Sequence, residues 1–334
     1  MHFTVDDLTR VQVASAPDPI WETTLALHQL TGVADVAAGF SDWRRRSRSL
    51  IEERRLGWPV KLLATMASST GYYPDFLTPP EGSYGLEAGL EAMRATPPAR
   101  VRQEVRRLAA NTPPPRSVRP WVRGLAAGDR NRMAELTDVL KAVHDVLVTP
   151  VMDEAQATVE ADLARRRDAM SEGGVHGLLA SFSPLMRWQS PVLHINYSVD
   201  RDVHLAGRGL RLVPSYFGVR TPLTLADPRL GPILVYPVSR RNLPLTSREV
   251  PPALPALLGR TRARVLTAVR DTTTTGELAS GLQIAPASAS EHVHVLLAAG
   301  LVRSHRAGNQ MLHTLTPLGS AVLRGLAPAS AALI

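Results

Sequence analysis

The chain has 334 residues, 38 lysines and arginines against 30 acidic residues, a formal net charge of +8 and no cysteine. That length supports two or three domains with ample core, and the lack of cysteine excludes a disulfide framework and any thiolate metal site. No apolar run approaches the roughly 18–20 residues of a membrane helix, and the opening MHFTVDDLTR lacks the basic-then-apolar order of a secretory leader. A cytoplasmic protein with no membrane partner is expected.

The charge is uneven. Residues 1–110 are balanced and 111–174 carry −1, whereas 175–254 carry +5 and 255–334 carry +4. An excess concentrated in the C-terminal half fits a polyanionic partner there. Only Lys61 and Lys141 are lysines, so a coding bias toward arginine is the competing explanation.

In chain order, residues 1–174 read as mainly helical. A short strand is expected at Phe3–Val5, with Asp6 or Asp7 capping a helix start. Ile20, Leu25, Leu27, Leu30, Val33 and Val36 suit a buried helix over 19–38. The RRRSR run at 44–48 reads as a solvated helix face, with a second DNA contact as the alternative. Prolines at 79–80, 97–98 and 113–115 divide the next stretch into short helices. Leu136, Val139, Leu140, Val143, Val146 and Leu147 recur at helical steps within 130–171, where Pro150 kinks or divides the run.

The character changes at Gly173-Gly174. VLHINYS, DVHLAG, GLRLVPSYF, TPLTL and PILVYPV, separated by Asp, Gly and Pro, predict hairpins of a small antiparallel sheet over 175–238, packed on the helical region. The proline-rich stretch 239–255 reads as a linker. Residues 256–334 form the last domain, so the predicted fold class is α+β.

Residues 256–270 predict one helix with Leu257, Leu258, Val265, Leu266 and Val269 buried. Thr275 is the expected N-cap of a short second helix, and Gly281–Ala285 the turn. A third helix opens on Pro286 at a first helical position, where the missing N–H costs nothing. Ala289, Val293, Leu296 and Leu297 are its buried stripe, which leaves Ala287, Ser288, Ser290, Glu291 and His294 on the other face. Gly300 caps its end. Leu301–Arg306 and Met311–Thr316 then pair around a tip at Ala307–Gln310. This order is a winged helix-turn-helix, which places one helix in the major groove of double-stranded DNA. Ala287, Ser288, Ser290, Glu291, His292 and His294 are the candidate groove contacts, and Arg303, Arg306, Asn309 and Gln310 the candidate wing contacts.

This stretch resembles the ArsR-type winged-helix repressors, whose recognition helix follows Ser-x-x-Ser-x-His-Leu-x-x-Leu-x-x-Ala-Gly-Leu-Val. The chain has Ala287, Ser290, His292, Val293, Leu296, Ala299, Gly300, Leu301 and Val302 at those places. The resemblance covers roughly the last 75 residues and implies a homodimeric repressor that reads a pseudo-palindromic operator. Ala287 replaces the first serine, and Glu291 stands where the pattern has a basic or neutral residue. Glu291 can accept from a cytosine amino group but repels phosphate.

Many ArsR-type proteins hold a metal through cysteines of the second helix or His/Asp pairs of the last. Here the second helix reads GELASGL, and PLGSAVLRGLAPASAALI carries no His, Asp or Glu. His292 and His294 lie about 200° apart around a helix and cannot chelate one ion from one face. The sequence contains no Gly-x-Ser-x-Gly, His-Glu-x-x-His, Gly-x-x-x-x-Gly-Lys or Gly-x-Gly-x-x-Gly. No metal, no cofactor and no catalytic residue is expected.

Some 240 residues precede the DNA reader, and the segment from His176 to Val238 resembles the upstream region of long ArsR-like regulators of actinobacteria. An effector-sensing role is the leading expectation, with a small organic molecule bound where the helical region meets the β segment. Trp188, His194, Tyr197 and Tyr216 are the candidates, with Trp43 and Trp58 behind them. The alternative is a surface that docks another protein.

Overall fold

The computed structural model describes residues 1–31, 40–68, 72, 74–195, 201–218, 221–227, 229–238, 254–269, 273–307 and 310–325. Two units separate, one comprising the described residues within 1–31 and 43–238, the other residues 40–42 and the described residues within 254–325. The proposed linker 239–255 falls outside the described residues except for its last two positions.

The first unit begins with a capping box rather than the strand expected at Phe3–Val5. Thr4 receives the N–H of Asp7, and Asp7 in turn accepts from Thr4, which starts α1 (Val5–Thr9) before either expected acidic cap. A strand, β1 (Val11–Val13), follows α1. Helix α2 (Pro19–Thr31) is buried almost all round, through Ile20, Trp21, Leu25, Ala26, Leu27 and Leu30. It packs on α4 (Gly57–Met66), α5 (Leu86–Arg94) and α8 (Arg130–Leu147). The far part of the expected 19–38 helix lies outside the described residues. Around this centre stand α3 (Ser41–Glu53), α6 (Pro98–Asn111) and α7 (Arg119–Ala127). Pro150 sits in a 3-10 turn that separates α8 from α9 (Met152–Ala180), the second of the two expected outcomes.

Helix α9 outlasts the expected boundary. Gly173 and Gly174 leave helical geometry, with Gly174 at φ 57°, yet the chain resumes a helical course to Ala180. Gly177 then passes so close to the Ala169 carbonyl that a Cβ there would collide with its oxygen. A bare α-carbon is what lets the chain fold back on itself.

The β segment is organised differently from the expected hairpins. Two of the expected antiparallel pairs do form, β2 (Met186–Gln189) with β3 (Val192–Ile195) and, within the main sheet, residues 223–224 with 234–235. The main sheet takes the order β1-β4-β6-β5 from β1, β4 (Leu210–Ser215), β6 (Ile233–Pro237) and the two-residue β5 (Leu223–Thr224). Its β1–β4 and β4–β6 pairs are parallel, and only β5–β6 is antiparallel. A long connection joins β4 to β6, as parallel pairing demands. The DVHLAG stretch forms no strand and contributes only an isolated bridge at His204. One sheet face packs Leu210, Leu212, Leu234 and Tyr236 against Val159, Leu163, Leu178 and Leu179 of α9.

Buried carboxylates fasten the helices to this sheet. Glu22 on α2 accepts the N–H groups of Tyr216 (2.7 Å) and Phe217 (3.0 Å) beyond the end of β4. Asp75 accepts those of Ala226 and Asp227, both at 2.8 Å. Asp7 accepts from Gly209 N–H at 2.9 Å. Asp162 on α9 receives the Tyr236 hydroxyl (2.9 Å) and the Arg166 guanidinium, which stacks 4.0 Å over Phe182. Each contact stands in for water that burial has removed.

Asp18 caps α2 through Ile20 and Trp21, one helical turn before Glu22. Burial pushes the Asp18 carboxyl up to about 6. Burial likewise lifts Glu22 to about 7, against the pull of its two backbone donors. A folded-state value above the unfolded one means the folded protein holds the proton more tightly. The stability linked to Glu22 is therefore complete below about pH 4.5 and lost as pH rises through about 7. Glu22→Gln cannot titrate, and its amide nitrogen faces one of the two donors. The stability gap between wild type and Glu22→Gln, measured by denaturant melts, should be wider at about pH 5 than at about pH 8. A gap that does not change with pH would separate Glu22 from proton uptake.

Candidate nucleic-acid interface

The second unit does not begin with one helix. Gly259, at φ 80°, divides the stretch into α10 (Leu254–Leu258) and α11 (Arg260–Ala268). That break resets the helical phase. Leu254 is fully buried and Leu257, expected in the core, is 64% exposed, whereas Val265, Leu266 and Val269 are buried as expected.

A two-residue strand, β7 (Thr273–Thr274), leads into α12 (Thr275–Leu282). Its N-cap is Thr274, one residue before the expected Thr275. Thr274 Oγ1 accepts the Glu277 N–H at 3.2 Å, and Glu277 Oε2 accepts the Thr274 N–H at 2.7 Å. The Thr-x-x-Glu spacing of this capping box is visible in the sequence at 274–277 and points to the right threonine. Gly281 remains helical, so the turn begins later, with Gln283 in the left-handed region at φ 54°. Arg264 donates to Leu282 O at 3.0 Å and ties α11 to the end of α12.

Helix α13 (Pro286–Ala298) places Pro286 in its first turn, and Gly300, at φ 68°, follows its C-cap Ala299. Ala289, Val293 and Leu296 are buried against α11 and α12, with Leu297 packed at the edge. Ala287, Ser290, Glu291 and His294 are exposed, while Ser288 and His292 are half-buried. Val295, 38% exposed, extends the open face toward the C-terminal half. The exposed half-turns carry small and polar groups, so a polyanion backbone can come close without meeting bulk.

Strands β8 (Val302–Ala307) and β9 (Gln310–Leu315) pair antiparallel, and β7 joins β9 to give the order β7-β9-β8. Along β8, Val302 and Ser304 face the interior, and Arg303 and His305 face outward. Arg303 is braced across the hairpin by donating from Nε to Thr314 Oγ1 at 3.1 Å. Arg306 has the opposite parity, so the two candidate wing cations leave the ribbon on opposite faces near an exposed edge. Asn309 and the side chain of Gln310 lie outside the described residues.

His313 is the residue that the sequence reading passed over. It is buried on β9, with Nδ1 2.6 Å from Ser304 Oγ and Nε2 2.8 Å from Thr275 Oγ1. One imidazole thereby joins the wing to the first residue of α12. Thr316 makes a second tie. Its hydroxyl donates to Gly300 O at 2.6 Å and accepts the Gly319 N–H, capping α14 (Pro317–Gly325). A Cβ on Gly319 would collide with Leu301 O, so glycine is required where α14 crosses the end of α13.

The three upstream candidates among the described residues, Trp188, His194 and Tyr216, do not gather. Trp188 on β2 lies edge-on to Phe3 and donates to His176 Nδ1 at 3.1 Å. Tyr216 is buried against Phe217, where Glu22 holds its main chain. His194 is exposed on β3, and Tyr197 lies outside the described residues. Of the aromatics behind them, Trp43 is buried and donates to Leu147 O, and Trp58 is 40% exposed. Aromatic side chains supply the largest apolar areas of this segment, so the core takes them first. In the 44–48 run, Arg45, Arg46 and Arg48 are exposed, and Arg44 buries Nε and Nη2 without a hydrogen-bond partner.

Burial, and then the neighbouring His305, hold the His313 imidazole below its usual range. Its neutral form is the folded one, so the linked stability is present above pH 6.5 and lost as pH falls below it. His313→Phe strands the Ser304 and Thr275 hydroxyls, at a cost of about 1–3 kcal/mol. A lower melting temperature at about pH 8, with a smaller further loss on acidification than in wild type, is the expected outcome by calorimetry of the full chain.

Residues 257–305 match the family described as helix-turn-helix domain. No curated protein and no solved structure matches the chain. The match spans α11, α12, α13 and the first wing strand, and the chain carries a helix-turn-helix DNA-binding domain in its C-terminal unit.

Proposed function

We propose that the protein is a homodimeric transcriptional repressor of ArsR type, with α13 reading the major groove of a pseudo-palindromic operator. The observation that carries the reading is the division of α13. Its buried stripe is fixed to α11 and α12, while Ala287, Ser290, Glu291 and His294 are left open beside an arginine-bearing hairpin. A dimer sets two such helices about one helical turn of DNA apart. The upstream unit is far larger than a DNA reader needs and supplies the input, a small molecule whose binding alters operator affinity. A coupling of about 1–3 kcal/mol is enough for such control.

The wing and the acidic groove residue give opposite signatures. Arg303→Ala and Arg306→Ala should each weaken binding to all DNA sequences and make the salt dependence shallower by about one unit of log Kd against log salt. Glu291→Gln should strengthen binding to unrelated DNA, because a carboxylate no longer faces phosphate, and narrow the margin for the operator. Fluorescence anisotropy on DNA from the upstream intergenic region, titrated across salt concentrations, reads both. A double arginine variant that binds like wild type at every salt concentration would remove the wing from the interface.

A further inference from the structure

The first unit carries a cleft of about 600 Å³ on its β segment, walled by β3, the 201–208 loop and residues 222–227 and 230–234. That volume suits a small organic molecule. Half-buried Val192, Ile195, Leu230 and Pro232 give it an apolar lining, with Leu225 buried beneath.

The polar groups around this lining are of unequal availability. Its two acids are already engaged. His2 Nε2 lies 2.7 Å from Asp202 Oδ1, and that contact holds the Asp202 carboxyl below its usual range. Arg229 binds Asp227 through both Nε and Nη2 and keeps it near about 2. Of the basic groups, Arg208 donates to the Leu205, His204 and Leu230 carbonyls and the Met1 amine to Leu193 O, while others are left with capacity. Arg201 has no ion-pair partner among the described residues, and the ring nitrogens of His194 and His204 accept or donate no hydrogen bond there. His204 is held in place by stacking on His2, with ring centroids 4.5 Å apart and planes 19° from parallel. Among the described residues no three ligating groups converge on one metal position.

An incoming cation finds only carboxylates that already have partners. A neutral apolar molecule leaves the guanidinium and imidazoles with water alone. An apolar body bearing one carboxylate uses both parts, since Arg201 offers a charge-assisted contact at the rim of an apolar lining.

We infer that this cleft binds a small organic acid, with Arg201 and His204 taking its carboxylate and the Val192–Ile195 strand its apolar body. The inference deepens the regulator reading and rests on it only for the step from occupancy to DNA release.

The test uses the full chain and isothermal titration with benzoate and hexanoate, each beside its neutral amide. The carboxylates should bind at least tenfold tighter than benzamide and hexanamide, about 1.4 kcal/mol. Arg201→Ala with His204→Ala should cost at least fivefold in carboxylate affinity while melting temperature and DNA affinity stay unchanged. Single Arg201→Gln, which keeps the side chain's bulk, should lose most of the same affinity. Amides that bind as tightly as acids overturn the inference, as does carboxylate binding indifferent to these variants, or no saturation by either acid at millimolar concentration. DNA anisotropy on the same samples separates the two ideas. A wild-type chain that binds DNA but neither acid overturns only the ligand assignment, and a wild-type chain that binds the acids but no DNA overturns only the regulator reading.

Discussion

The first unit depends on carboxylates that leave water to hold main-chain N–H groups. Glu22, Asp75 and Asp7 accept from residues 216–217, 226–227 and 209 respectively, and Asp162 accepts the hydroxyl of Tyr236. Every donor belongs to the β segment, and every acceptor lies in the first 162 residues. Apolar packing of α9 on the sheet is without direction, whereas these contacts set register and leave few alternatives. They explain why the helical region and the β segment form a single unit despite the change in composition at Gly173-Gly174.

The second unit uses hydroxyls where the first uses carboxylates. Thr275, Ser304 and Thr316 make the ties between wing and helices, with His313 between the first two, while Thr274 and the Glu277 carboxylate cap α12. Neutral hydroxyls can either donate or accept, so the ties made by Thr275, Ser304 and Thr316 add no charge to the scaffold behind α13. The only acid on the described α13 face is Glu291. Fixed acids upstream and fixed hydroxyls here place the chain's charge asymmetry in its structure as well as its composition.

How much was legible follows the distance over which each signal acts. Helix α13 was readable nearly to the residue, because Pro286, the 289/293/296 stripe and Gly300 are local statements about one helix. Leu257 was misplaced because Gly259 interrupts the phase on which its burial was argued. The β2–β3 and β5–β6 hairpins are legible, but the parallel β1–β4 and β4–β6 pairs are not, because Gly, Asp and Pro between apolar runs look alike whether the next strand returns beside the last or crosses to lie parallel. Nothing around Val11–Val13 says that the partner strand begins at Leu210. Asp75 and Glu22 gave no signal for the same reason, since their donors lie 151 and 194 residues away. Trp188 and Tyr216 were assigned to a pocket on residue type alone, and packing had the prior claim on both.

The β1–β4 pairing also sets an order of events during synthesis. Val11 must wait for Leu210, a gap that takes roughly 10–40 s to translate at about 5–20 residues per second. Until then Glu22 has no N–H groups to bind and the apolar surface of α2 has lost one of its covers. The helix-turn-helix stretch 254–325 closes over contacts of far shorter span, the longest strand pairing among its described residues joining residues 273 and 313. Short-range topology folds quickly and long-range topology slowly. The helix-turn-helix unit can therefore be finished almost at once after its own synthesis, while residues 11–31 must stay open, exposed to misassociation, until residues 210–217 exist.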